Sequence, residues 1–247
     1  MSLLLNGDCL EELKAVEDNS VDFIFCDLPY GQTSLDSNPW DIPIDLKLLW
    51  KELLRVKKLR TPIFFTTTTK YGFELLKYQP YKCPFHYDIV WEKTTSSGFL
   101  TSKIMPLKSH EMIYVFYEKA PMYDLSTHIP KFKEEDYDGE LETDCTYGKI
   151  KTKHRSKGDN SGARYDPPLP RSVVKIKSTK RSHNTEKPVE LIEYLLKYFS
   201  KEGDTILDPT MGAGSTGVAC KNMKRNFIGI EKNITFFNTA ENRIKNF

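Results

Sequence analysis

The sequence predicts an α/β fold: a mostly parallel sheet with helices on both faces. Three observations lead there. Strand-like and helix-like stretches alternate near both ends of the chain. Residues 21–26 form a nearly continuous apolar run, the pattern of a strand covered on both faces. Gly212, Gly214 and Gly217 follow another apolar run and open a helical one. The 247 residues suffice for one large domain with a well-buried core, or one domain with a small insert.

The elements follow in order. Leu3-Leu4-Leu5 reads as a short strand closed by the turn Asn6-Gly7-Asp8. From Cys9 to Val16 the spacing becomes helical, with Leu10 and Leu13 three apart. Asn19-Ser20 turns the chain into the strand at 21–26. Residues 31–44, rich in Pro, Asn, Ser and Asp, read as loop. Asp45 can cap a helix to about Lys57, whose apolar stripe is Leu46, Leu49, Trp50, Leu53 and Leu54. Residues 63–68 are β-branched and aromatic, hence strand; 87–91 and 112–117 read as an antiparallel pair. Between 120 and 182 regularity fades, and this stretch reads as an inserted segment. Order returns at Pro188, with Val189, Ile192, Leu195, Leu196 and Phe199 as a helical stripe. A strand at 205–207, the glycine turn, a strand at 227–230 and a helix carrying Ile234, Phe237, Ala240 and Ile244 complete the chain.

Net charge is only +2, so no overall field argues for nucleic acid. Its distribution is uneven. Residues 151–187 hold 11 Lys and Arg against 3 Asp and Glu, a local +8 that leaves −6 for the remainder. Lys and Arg interleaved with Ser, Thr, Asn and Gly suit contacts to a phosphate backbone. The five cysteines are scattered, without a Cys-x-x-Cys or Cys/His cluster, so neither a metal centre nor a disulfide framework is expected. A reducing compartment is the plain reading. No apolar run approaches the roughly 18–20 residues of a membrane span, and the N-terminus has no signal-peptide pattern.

Two stretches carry the chemistry. The strand at 21–26 ends in Asp27-Leu28-Pro29-Tyr30: a carboxylate, a rigid proline and an aromatic ring. Far downstream stands Asp208-Pro209-Thr210-Met211-Gly212-Ala213-Gly214-Ser215-Thr216, joining a strand to a helix. Its glycines admit a ligand close to the backbone, and the helix beyond presents free N–H groups. Glu231 ends the next strand, where an acidic side chain accepts from ribose hydroxyls. This is a nucleoside-cofactor half-site. Gly212, Gly214 and Gly217 literally match a dinucleotide fingerprint, so an NAD-binding oxidoreductase is one reading. Asp208 pulls away from it, because a carboxylate there repels pyrophosphate and suits a ligand with an amino group. S-adenosylmethionine fits better. The bland readings are an ordinary turn at Asp27, a helix N-cap at Asp8 and a solvated strand end at Glu231.

Together these residues resemble the amino-group DNA methyltransferases, in particular their β class and its small phage-type members. Asp27-Leu28-Pro29-Tyr30 is similar to the catalytic motif, and its position ahead of the cofactor motif marks that class's circular permutation. His183-Asn184-Thr185-Glu186-Lys187-Pro188 is similar to the class's His-Pro-Thr-Gln-Lys-Pro element, and Asn6-Gly7-Asp8 to its adenine-binding turn. The likeness covers roughly 1–120 and 183–247. Leu28 stands where the family usually has Pro, and Thr210 where it has Phe; Asn184 and Glu186 depart from the third element.

The resemblance implies a circularly permuted, Rossmann-like methyltransferase fold: a catalytic half at 1–119, an inserted target-recognition region at 120–182 and a cofactor half at 183–247. It implies S-adenosylmethionine as cofactor without a metal, and double-stranded DNA as partner. A homodimer, no membrane contact and the cytoplasm of a bacterium or phage-infected cell complete that expectation. Asp27 and the Leu28 carbonyl would accept from the target amino group, and Tyr30 would stack on the base. Asp8 would face the cofactor adenine and Glu231 its ribose. Asp208, Pro209, Thr210, Gly212, Gly214, Ser215 and Thr216 would face its methionine part. Lys187 or the backbone near Thr185 would hold its carboxylate. Adenine N6 is the first choice, because Asp at the first catalytic position is commoner in the family's adenine enzymes. Cytosine N4 stays open, as do a non-catalytic DNA-binding module and an RNA or protein methyltransferase.

Overall fold

A computed structural model describes residues 1–31, 41–130, 141–145, 148–152, 165–178 and 186–246. They fall into two compact units, Met1–Asp124 with Ser172–Phe247, and Leu125–Arg171. His183, Asn184, Thr185 and the acidic run Glu134-Glu135-Asp136 lie outside the described residues. So do residues 153–164 and 179–182 of the basic segment.

In chain order the elements are β1 (Ser2–Asn6), α1 (Cys9–Glu12), β2 (Phe23–Cys26), α2 (Leu46–Val56), β3 (Ile63–Thr67), α3 (Thr69–Tyr78), β4 (Phe85–Ser97) and β5 (Lys108–Phe116). The second unit holds β6 (Ile129–Pro130), β7 (Leu141–Cys145), β8 (Gly148–Thr152) and β9 (Tyr165–Asp166), paired antiparallel as β6 with β9 and β7 with β8. Then come β10 (Val173–Ile176), α4 (Val189–Phe199), β11 (Thr205–Asp208), α5 (Ser215–Asn222), β12 (Asn226–Glu231) and α6 (Ile234–Asn246).

In the first unit the strands lie in the order β1-β12-β11-β2-β3-β5-β4-β10. Every pairing is parallel except those of β5, which runs against both neighbours. β2 and β3 are buried at every position. Alternation sorts their side chains to two faces. Phe23 stacks on Phe64 at 4.9 Å, and Phe64 meets Phe199 of α4. On the other face Phe65 meets Trp50 of α2 at 5.2 Å. Helices therefore cover both faces, as the apolar run predicts.

Local chemistry sets the helix starts. The Asp45 carboxylate accepts from the N–H groups of Lys47 and Leu48 and caps α2, whose Leu46, Leu49, Trp50, Leu53 and Val56 are buried. α5 is buried from Ser215 to Cys220, so its sequence lacks a clear polar face. Two elements differ from the sequence expectation. α3 was not anticipated: it is capped by Thr68 and packs Tyr71 and Leu75 inward. Val173–Ile176, within the stretch read as irregular, joins the main sheet beside β4.

The topology then positions the site. β11 lies beside β2, with Leu207 opposite Ile24. From this pair the chain continues outward in opposite directions, to β12 on one side and β3 on the other. In open α/β sheets such a switch point, at the carboxyl ends of the strands, is where a crevice opens.

Candidate active site

Asp27 follows β2 and Asp208 ends β11, so two residues 181 positions apart meet at that crevice. A cavity of about 590 Å³ opens there. Asp8, Asp27, Pro29, Lys187, Glu231 and the loop carrying Asp208, Pro209, Thr210, Gly212, Ser215 and Thr216 all line it. Leu28 is not in the lining: its side chain is turned into the core. Tyr30 stands behind Asp27, with its ring tilted against Tyr71 at 5.1 Å. Gly214 lies behind the cavity wall against Ala240.

The Asp27 carboxylate is held from several sides. The Lys187 ammonium donates to both of its oxygens at 2.7 Å. The Tyr30 hydroxyl donates to Oδ1 at 3.2 Å, and the Thr66 hydroxyl donates to the same oxygen. Oδ2 receives only Lys187 among the described residues, so it keeps acceptor capacity. The backbone carbonyl of Asp27 accepts from the Thr210 hydroxyl at 3.1 Å. Thr66 carries no sequence signal; β3 brings it beside β2.

Asp208 is buried. Its Oδ1 accepts from the Thr210 N–H at 3.0 Å and its Oδ2 from the Thr216 hydroxyl at 2.5 Å. Desolvation pushes its pKa up, the two hydrogen bonds oppose this, and the charges of Asp27 and Glu231 add to the rise; the result is about 7. The loop beyond it turns through Gly212 (φ +52°) and Gly214 (φ +83°), backbone that glycine adopts without strain.

Glu231 braces that turn. Its carboxylate accepts from the N–H groups of Gly212 at 3.0 Å and Asn233 at 2.7 Å. Asp8 is a helix cap as well as a cavity residue, since it accepts from the Leu10 N–H at 3.0 Å. Partial burial pushes the Asp8 pKa up, but the Lys232 ammonium and the Leu10 N–H outweigh it and hold it below its ordinary value. Glu186, unassigned by the sequence reading, is buried beneath the glycine turn. Its Oε1 accepts from Ser215 and pairs with Arg243, while its Oε2 has no hydrogen-bond partner among the described residues.

Among the described residues, six carboxylates line the cavity against two ammonium groups. That set suits a ligand with a cationic end and hydroxyl groups, and it disfavours pyrophosphate. Among the described residues no cluster of three or more His, Cys, Asp or Glu is arranged to hold a metal ion, and no helix is long and apolar enough to cross a membrane.

Known proteins resemble this chain in sequence and in fold. The Type II methyltransferase M.HinfI of Haemophilus influenzae is 24% identical, over 99% of this chain and 68% of its own length. The Type II methyltransferase M.BamHI of Bacillus amyloliquefaciens is 28% identical, over 92% of this chain and 54% of its own. The chain thus spans only about half to two thirds of these relatives. The crystal structure of the M1.HpyAVI–SAM complex superposes with a TM-score of 0.65 at 20% identity, over 99% of both chains, so the fold is shared. The model of the N6/N4 DNA methylase family matches residues 21–242, and the chain belongs to that family.

Proposed function

We propose that the protein transfers a methyl group from S-adenosylmethionine to the exocyclic N6 of adenine in duplex DNA. The observation that carries this reading is the meeting of Asp27 and Asp208 at one cavity, at adjacent strand ends. One carboxylate serves the base and the other the cofactor.

The lining fits that cofactor. Asp208 and the orphaned Oε2 of Glu186 would take its ammonium, Glu231 its ribose and Asp8 its adenine, with the glycine turn against its methionine part. When bound, it supplies a methyl group made electrophilic by a sulfonium centre.

The protein's own residues prepare the nucleophile. An exocyclic amino nitrogen is weak because its lone pair is conjugated with the ring. Asp27 Oδ2 accepts one N–H and the Leu28 carbonyl the other, which favours a pyramidal nitrogen with a freed lone pair. Asp27 need not remove a proton first, since the methylated nitrogen is cationic and sheds one readily. Holding the reacting atoms in line supplies much of the remaining acceleration. Pro29 fixes the backbone between acceptor and ring, and Tyr30 offers a surface for the base, which leaves the duplex to reach Asp27. Asp at position 27 favours adenine over cytosine on the family pattern.

The test is mass spectrometry of nucleosides from unmethylated, mixed-sequence duplex DNA incubated with protein and S-adenosylmethionine, beside Asp27→Asn. N6-methyladenine in the wild type alone is the expected result. N4-methylcytosine instead would keep the mechanism and correct the base. Cofactor binding without any DNA product would overturn the substrate assignment.

A further inference from the structure

The family resemblance assigns the cofactor carboxylate to Lys187 or to the backbone near Thr185, yet the Lys187 ammonium lies on the Asp27 carboxylate. A buried ammonium must be compensated, and one carboxylate that also receives hydroxyls from Tyr30 and Thr66 is not its only partner. On its other flank stands Glu111 of β5, with Oε2 3.6 Å from Lys187 Nζ. Oε1 of Glu111 pairs with Lys93 of β4. Lys93 in turn lies over the Trp91 ring, 4.9 Å from its centroid. Charges therefore alternate from Asp27 through Lys187 and Glu111 to Lys93. Lys187 and Glu111 are both largely buried, at 7% and 15% side-chain exposure.

We propose that Lys187 is a positioning residue for the catalytic carboxylate rather than a cofactor ligand, and that Glu111 is the counter-charge that balances it. The inference rests on the function proposed above and assigns work within the same site. Two bonds from one ammonium lock the plane of the Asp27 carboxylate, so that Oδ2 faces the target amino group. Unbalanced, that ammonium would draw electron density from Asp27 and weaken it as an acceptor. Glu111 shares the ammonium and so leaves Asp27 the fuller acceptor. Its partners lie 18 and 76 residues away, so no local motif reveals it.

Burial lowers the basicity of the Lys187 ammonium, but the facing charges of Asp27 and Glu111 outweigh it and keep the group protonated. The other ionisable groups around the pair are Tyr30 and Cys26 beside Asp27, Asp208 across the crevice, and Lys93 and Lys108 beside Glu111. Saturating cofactor holds Asp208 in one state during the test.

The experiment has three readouts on the full chain. Cofactor affinity is measured by calorimetry without DNA. Methyl transfer to unmethylated genomic DNA is followed against pH at saturating cofactor. The Lys187 ammonium is observed by proton–nitrogen NMR, its signal identified by loss in Lys187→Arg. In Lys187→Met the rate should fall roughly 100-fold while cofactor affinity stays within about threefold. The acid limb of the pH–rate profile should move up in Lys187→Met, where two carboxylates face each other. It should move down in Glu111→Gln, where the ammonium bears on Asp27 alone. Glu111→Asp should restore the wild-type limb. The ammonium signal should be present in the wild type and lost in Asp27→Asn.

Parallel losses of rate and cofactor affinity in Lys187→Met would overturn the proposal. So would rate losses that leave the acid limb in place, or no ammonium signal in the folded wild type. If the signal behaves as expected but the wild type modifies no DNA, the clamp is supported and the functional reading falls.

Discussion

The hydroxyl of Thr210 donates to the backbone carbonyl of Asp27 across 3.1 Å. One hydrogen bond thus ties the cofactor loop after β11 to the catalytic loop after β2. Thr210→Val removes the donor and keeps the shape. A single neutral hydrogen bond is worth about 1 kcal/mol, so methyl transfer should slow roughly fivefold. Thr210→Ser should restore most of the rate. A Val variant with unchanged rate would mean that the strands alone hold the two loops in register.

Asp208 makes cofactor-free stability depend on pH. Its folded pKa of about 7 lies above the ordinary value of 3.8 that the carboxyl has in the unfolded chain. Between those values the folded protein keeps a proton that the unfolded chain has released. Raising the pH from about 4 to 7 therefore removes stability, and above 7 the loss is complete. Asp208→Asn abolishes this contribution. Relative to the wild type, its melting temperature should be higher at pH 8 than at pH 5. A difference that does not vary with pH would exclude Asp208 as the titrating group.

The same carboxylate predicts a pH-dependent cofactor affinity. A cationic ligand end binds the ionised form, so affinity should rise by up to about tenfold per pH unit until pH 7 and then level off. Calorimetry in buffers of different ionisation enthalpy should register one proton released near pH 6. In Asp208→Asn the binding should be weaker and flat with pH. Equal wild-type affinity at pH 5.5 and 8 would show that Asp208 does not meet the ligand charge.

The sequence reveals the parts of this site that are local. A carboxylate at the end of an apolar run, and glycines between strand and helix, are visible without neighbours. What it hides is adjacency. Thr66 and Glu111 sit on strands whose sequences report burial, not partners, and they reach Asp27 and Lys187 only through sheet order. α3 escaped because its ten residues include Gly72, where a side chain would strike the Tyr114 ring. Val173–Ile176 escaped because it is only four residues long and opens on Val173, an apolar residue that is exposed. Lys187 was legible as a polar residue of the third motif, but its partner was not.

The two glycines of the cofactor turn should differ in their tolerance of alanine. At Gly212 (φ +52°) a Cβ meets nothing within 4 Å, so Gly212→Ala costs only the left-handed backbone, about 1–2 kcal/mol. At Gly214 (φ +83°) the Cβ would lie 2.8 Å from the Ala240 Cβ and 3.0 Å from its Cα. Overpacking adds about 1–3 kcal/mol there, because α6 must shift. Urea unfolding should show the lower midpoint for Gly214→Ala. Equal midpoints would mean that α6 moves aside without cost.

Tyr30 combines a ring and a hydroxyl whose contributions separate by substitution. The hydroxyl bonds to Asp27 and Thr66 are long, at 3.2 and 3.4 Å. Thr66 and Lys187 hold the carboxylate without them. Tyr30→Phe should therefore keep methyl transfer within about threefold of the wild type. Tyr30→Ala removes the surface on which the base would stack, worth about 1–3 kcal/mol. It also leaves a void beside Tyr71, so melting temperature must be followed in parallel. Transfer to unmethylated DNA should fall roughly 5- to 150-fold, mostly through the KM for DNA, with cofactor affinity unchanged. If Phe proves as damaging as Ala, the hydroxyl rather than the ring is what the site requires, and the base must be held by other side chains.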